Sequence, residues 1–239
     1  MKEQFKSEYL KFIMNPWHWL IIGALLLCVP PMVIFLNSKP DQLTLYFVLE
    51  QLLQSLYLGQ AGFISLAVLF IGQEFTGSSL RTSFLTCPNR LKFIICKLAI
   101  VLCVEIVLLL AVISVCILLA QVYYNINLLS NIKHVLTILF PVCISILTFA
   151  LLSGIFVFIF RSFTLILGIS LSLLLGLGQM LLQFSSLFRN LPLLASMNCY
   201  YIHPLSLYYP VWQGLGIQIV WLLIVFVVAA LILRERNVR

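Results

Sequence analysis

Residues 74–97 read EFTGSSLRTSFLTCPNRLKFIICK and stand between two long apolar runs. Charge gathers in few other places in this chain. Glu74 is placed at the start of a short helix, where a carboxylate favours the positive end of the helix dipole. Leu80, Phe84 and Leu85 fall on one side at helical spacing, and Ser78, Arg81 and Thr82 fall largely elsewhere. Pro88 stops that helix, and Asn89 favours a turn. Arg90, Lys92 and Lys97 then stand at the foot of the next apolar run. The expected shape is a half-buried helix at a membrane surface, a turn and a re-entry, offering a rigid surface to something in the cytosol.

The rest of the composition agrees with a membrane setting. The chain has 239 residues, of which 63% are hydrophobic and 9% charged, with a mean hydropathy of +1.14. That balance excludes a water-soluble domain. The net charge of +7 is read by position, as a marker of the cytosolic side, and not as a sign of nucleic-acid binding. Seven cysteines show no CxxC spacing and read as small buried hydrophobes.

Six runs are long enough to span, at about 20 apolar residues each. They are 17–36, 51–72 (with an extension toward Leu43), 98–120, 135–160, 163–182 and 212–233. Pro30-Pro31 should kink or end the first of them early. Before it, residues 1–16 carry Phe5, Tyr9, Phe12 and Ile13 on one helical face among Lys2, Lys6 and Lys11. This predicts an amphipathic interfacial helix that ends at Pro16, with Trp17 and Trp19 as anchors, and not a cleavable signal. Residues 183–211 are too apolar for an ordinary loop, and Pro192, Pro204 and Pro210 interrupt them. Short helices dipping into the outer leaflet fit, with Tyr200, Tyr201, Tyr208 and Tyr209 at interfacial depth. The expected class is an all-α polytopic membrane protein, with residues 1–239 forming one transmembrane domain.

Lysine and arginine counts give the orientation. With the N-terminus inside, the cytosolic segments hold Lys2, Lys6, Lys11, Arg81, Arg90, Lys92, Lys97, Arg161, Arg234, Arg236 and Arg239. The other side holds Lys39, Lys133 and Arg189. The asymmetry puts both termini and the 74–97 element in the cytosol.

Polar residues inside the spans are the site candidates. Glu105 lies well within the third span, where a charge costs about 2.5–3.5 kcal/mol on insertion scales. It is a gate or substrate contact, or else an interhelical hydrogen bond; it is either protonated or bonded to a neighbouring polar side chain. Gln54 and Gln60 line a cavity or an interface, whereas Glu50 is expected near the outer surface. Gly168, Ser172 and Gly176 recur every four residues and allow close helix packing, within one subunit or between two. Ser55 and Gly59 do the same on the second span. His18, His134 and His203 lie far apart and carry no metal signature. No HExxH, GxSxG or GxxxxGK[ST] motif occurs, so no catalytic residue is assigned and nucleotide hydrolysis by a phosphate loop is excluded.

This layout, with Glu74-x-x-Gly77-x-x-x-Arg81 followed by Pro88-x-Arg90 and Lys97, resembles the membrane subunit of type-2 ABC exporters. Within that family the chain is most similar to the small permeases of bacterial peptide-antibiotic immunity and export. The resemblance implies that residues 74–86 form a coupling helix seated on a separate ATPase subunit. Glu74, Gly77, Leu80, Arg81, Phe84, Pro88 and Arg90 would be its coupling residues. ATP and magnesium would be bound by that partner, with none held by this chain. A second permease, identical or related, would pair with it, and the Gly168/Ser172/Gly176 stripe would serve that contact. Gln54, Gln60 and Glu105 would border the path. The implied substrate is amphipathic or lipid-dissolved, such as a peptide antibiotic, toxin peptide, drug or lipid, and the implied location is the bacterial cytoplasmic membrane. A non-transporting scaffold or regulatory subunit is the alternative reading. An intramembrane enzyme is disfavoured, because the spans lack paired acids and nucleophile–base sets.

Overall fold

The computed structural model describes residues 2–36, 44–76, 90–125, 128 and 132–235. Among these the chain is helical, with no strand. Six helical stretches are long and apolar enough to cross a membrane: Pro16–Phe35, Leu45–Phe75, Leu91–Tyr124, Ile132–Phe160, Phe163–Phe184 and Val211–Arg234.

Helix α1 covers Lys2–Met14 and α2 covers Pro16–Phe35. Pro16 does not simply end the first helix, as the sequence suggested; it opens the second. Asn15 has extended backbone, and its side chain accepts a hydrogen bond from the Trp17 amide. Proline suits the first helical position because its missing N–H has no helical partner there. Of the two outcomes expected at Pro30-Pro31, a kink or an early end, the early end does not occur. The helix passes through both prolines to Phe35, and the Leu36 amide still reaches Met32 O at 3.1 Å.

Helix α3 covers Leu45–Gly72 and a 3-10 turn, Gln73–Phe75, extends it. Its start at Leu45 falls within the expected extension of 51–72 toward Leu43, and the Thr44 side chain caps the Phe47 amide. This helix is the centre of the bundle. It packs on α2 along one side, where a Cβ added at Gly62 would come within 2.4 Å of the Leu25 side chain. Along another side it packs on α5, Ile132–Phe160, whose Gly154 admits Ile71. Small residues at these crossings let the backbones approach. Helix α4 covers Arg90–Tyr124 and is longer at both ends than expected from 98–120. It closes the third side of the bundle, with Tyr124 donating to Val33 O at 3.1 Å.

The fifth candidate span is broken. Helix α6, Phe163–Ser172, passes through a π turn at Leu173–Leu177 into α7, Gly178–Phe184. Gly176 has φ +129°, a conformation that side chains resist. The break leaves the Leu174 carbonyl available, and the Tyr57 hydroxyl donates to it at 2.7 Å.

Residues 186–200 fold back on the bundle as short turns around α8, Pro192–Ala195. Residues 192–200 are all buried. Tyr200 and Tyr208 are buried, unlike the interfacial position expected for all four tyrosines. The Tyr200 hydroxyl is 3.4 Å from Ser145 Oγ, which donates to Ser196 Oγ at 2.9 Å. Gln218 of the last helix, α9 (Val211–Glu235), donates to Ser145 O. Asn198 ties the segment internally, donating to Leu205 O and Tyr209 O and accepting from the Leu205 amide.

Candidate functional site

Four charged residues, Glu8, Lys11, Glu74 and Lys97, converge at one end of the bundle. Helix α1 turns Glu8 and Phe12 inward, and both are buried; Phe5, Tyr9 and Ile13 of the predicted apolar face are largely exposed. Glu74 sits in the 3-10 turn that extends α3, and Lys97 lies two turns into α4. Lys97 is 1% exposed. Its ammonium is 3.0 Å from Glu74 Oε1 and 3.1 Å from Glu8 Oε2, the latter an ion pair without hydrogen-bond alignment. Lys11 completes the group, at 2.6 Å from Glu8 Oε1 and 3.0 Å from Glu74 Oε1. Two ammonium groups thus face two carboxylates. Phe70 adds its carbonyl at 3.4 Å and its ring face at 4.3 Å from Lys97 Nζ.

This arrangement answers the cost of burying charge. An isolated buried ammonium is strongly disfavoured, and a paired and hydrogen-bonded one is tolerated. Burial pulls the Lys11 ammonium down, but the hydrogen bond to Glu8 and the charge of Glu74 outweigh it, leaving its pKa above the ordinary lysine value.

A neutral neighbour backs the charges. His18, fully buried at the start of α2, stacks on Phe12 at 4.4 Å. Its Nδ1 lies 2.8 Å from Phe12 O, an acceptor, so Nδ1 carries the proton. Nε2 is then free to accept from the Gln73 amide at 3.0 Å. The junction therefore joins α1, α2, α3 and α4. It grips both ends of residues 74–97: Glu74 and Lys97 are in contact with each other and with α1.

The predicted site residues divide into groups. Glu74 lies in this junction as a buried ion-pair partner in the turn that closes α3, not at the start of a separate helix. Gly77, Leu80, Arg81, Phe84 and Pro88 lie outside the described residues, and Arg90 is the first residue of α4. Gln54 is half-buried. Gln60 and Glu105 are fully buried, and none of their side-chain polar atoms has a hydrogen-bond partner. Gly168 faces open space, Ser172 bonds back to Ile169 O, and Gly176 occupies the π turn. No described contact joins Gln54, Gln60, Glu105, Gly168, Ser172 or Gly176 to Glu74. It adds Glu8, Lys11, His18 and Gln73 to the site. The one signal in sequence was Glu8 itself, an acid three residues from Lys11 in a basic helix.

No known family, curated protein or solved structure matches this chain. Fold and site define the class: a helical bundle whose six apolar helices suggest a multi-pass membrane protein, with a four-charge junction at one end in which Glu8, Glu74 and Lys97 are buried and Lys11 lies at the exposed edge. Among the described residues no group of three or more metal-ligating side chains occurs.

Proposed function

We propose that this chain is the permease subunit of an ATP-driven type-2 ABC exporter in the bacterial cytoplasmic membrane. It pairs with a second permease and rests on a separate ATPase, which binds ATP and magnesium. The substrate is an amphipathic or lipid-dissolved compound such as a peptide antibiotic, toxin peptide, drug or lipid. One observation carries this reading: the 74–97 element is rooted at both ends in a buried ionic junction with the N-terminal helix. An element that passes force from a cytosolic engine must be anchored so that it moves its spans and does not melt. The junction supplies such anchoring, because breaking a buried pair is costly.

The test is purification of the full chain from its native membrane, followed by assay for ATP hydrolysis and for ATP-dependent movement of an amphipathic peptide in vesicles. The expected result is a co-purifying ATPase whose hydrolysis continues in Arg81→Glu while transport stops. A chain that purifies with no ATPase and moves nothing overturns the proposal and favours the scaffold or regulatory reading.

A further inference from the structure

Glu105 stands on α4 between the Lys97 junction and Cys116. Its residue is fully buried and neither carboxyl oxygen has a hydrogen-bond partner. On the same stripe of α4 lie Val101, Leu108 and Val112, all buried and apolar.

Among the described side chains of the surrounding helices, no charge answers it. Helix α4 packs against α1, α2, α3, α5 and α9. On α1, Glu8 and Lys11 belong to the junction, and Lys6 and Tyr9 are exposed. On α2, His18 is held by Phe12 and Gln73, and Cys28 is exposed. On α3, Glu50 and Tyr46 lie in the first turns and Tyr57 bonds Leu174, while Glu74 is in the junction. On α5, Lys133 and His134 are exposed at the helix start, and Cys143 is half-buried. On α9, Arg234 is exposed at the helix end. Within α4, Lys97 stands about 12 Å along the axis, at 1.5 Å per residue, and is engaged by Glu8 and Glu74. Cys96 and Cys116 are buried thiols, Cys103 is an exposed one, and Lys92, Tyr123 and Tyr124 stand near the helix ends.

An ionised carboxylate in that place would have neither countercharge nor donor, whereas the protonated acid carries no net charge. We propose that Glu105 is an intramembrane proton-binding site. It carries a proton while the bundle is packed as described, and it releases that proton only when α4 shifts against its neighbours and the carboxyl meets water or a cation. Proton release and the shift are then linked, so each drives the other. The inference does not depend on an ATPase.

The probe is dicyclohexylcarbodiimide, which partitions into membranes and reacts with protonated carboxyls, applied to the full chain in lipid nanodiscs. The acid O–H adds across one C=N bond: oxygen bonds the central carbon and the proton goes to nitrogen. The acyl group then shifts to nitrogen, with no leaving group and no oxidant. Mass spectrometry should find Glu105 modified, and Glu8 and Glu74 unmodified. A water-soluble carbodiimide should modify Glu105 much less, and Glu105→Gln should lose the label. Thermal unfolding against pH supplies a second readout. A proton bound only by the folded bundle lowers the folding constant as pH rises, by up to about tenfold per unit, relative to Glu105→Gln. Equal labelling by both reagents overturns the proposal, because the carboxyl would then be open to water. Parallel stability curves for wild type and Glu105→Gln also overturn it, whatever the labelling.

Discussion

Lys97 Nζ lies 3.1 Å from Glu8 Oε2, so the N-terminal helix holds the foot of the third candidate span directly. One is a lysine 1% exposed and the other a buried acid on a helix that carries three lysines. Each makes the burial of the other tolerable.

Removing the Lys97 charge should therefore be severe. Lys97→Met leaves buried Glu8 and Glu74 with one cation fewer, Lys11 still beside both, at a cost of up to about 3–5 kcal/mol. Thermal unfolding in detergent should show this as a large fall in the midpoint. Adding Glu74→Gln to Lys97→Met should recover part of the loss, because one stranded charge goes. Strict additivity of the two changes would contradict the pairing.

The junction also predicts an alkaline limit. The Lys11 pKa is raised in the folded state, so its contribution is complete below the ordinary lysine pKa and is lost as pH rises through the raised value. Stability owed to Lys11 should be flat through neutral pH and decline only under strongly alkaline conditions. Lys11→Met should lack that decline. A Lys11-dependent loss on acidification toward neutrality would contradict the assignment.

The returning segment at residues 192–200 depends on Gly214. A Cβ there would lie 1.9 Å from Ala195 O, a backbone atom that cannot step aside. Gly214→Ala should cost about 1–3 kcal/mol or more through displacement of the segment. Gly216, on the same helix, faces open space, so Gly216→Ala should be neutral or stabilising by about 0.5–1 kcal/mol. Comparing the two melting curves separates the packing effect from helix propensity.

At the π turn, Tyr57→Phe removes the hydroxyl that bonds Leu174 O, at about 0.5–1.5 kcal/mol. Hydrogen exchange should quicken across residues 173–177 and stay unchanged in α5. Unchanged exchange at the turn would mean that the bond does not hold it.

The spans were legible because length and apolarity alone specify them. Hydropathy put all six in place, to within a few residues at most ends. The 16–35 helix was harder, since a proline reads as a stop unless the capping Asn15 before it is weighed. At Pro30-Pro31 the sequence left a kink or an end open, and the helix passes through. The junction was only half legible. Glu74 and Lys97 stood out as the ends of one charged stretch, but their contact depends on how α3 and α4 pack. Glu8 was hidden, because the Phe5/Tyr9/Phe12/Ile13 spacing points to an apolar face for the membrane interface, and nothing in that spacing marks the acid beside Phe12 for burial in the bundle. An apolar face predicts inward burial only where the outside is water; in a lipid setting it can face out, and the charged side can turn inward to partners. Gly176 was read as a packing residue; the structure shows that it also supplies backbone freedom, which spacing does not reveal.

The most direct test of the account is the side on which residues 74–97 lie. A single cysteine at Asn89, in a chain whose seven native cysteines are replaced by alanine or serine, is exposed in intact cells to a membrane-impermeant maleimide. The account predicts no labelling until the membrane is permeabilised, and full labelling afterwards. Labelling in intact cells would place the element on the outer face, away from any cytosolic ATPase, and would contradict the central claim.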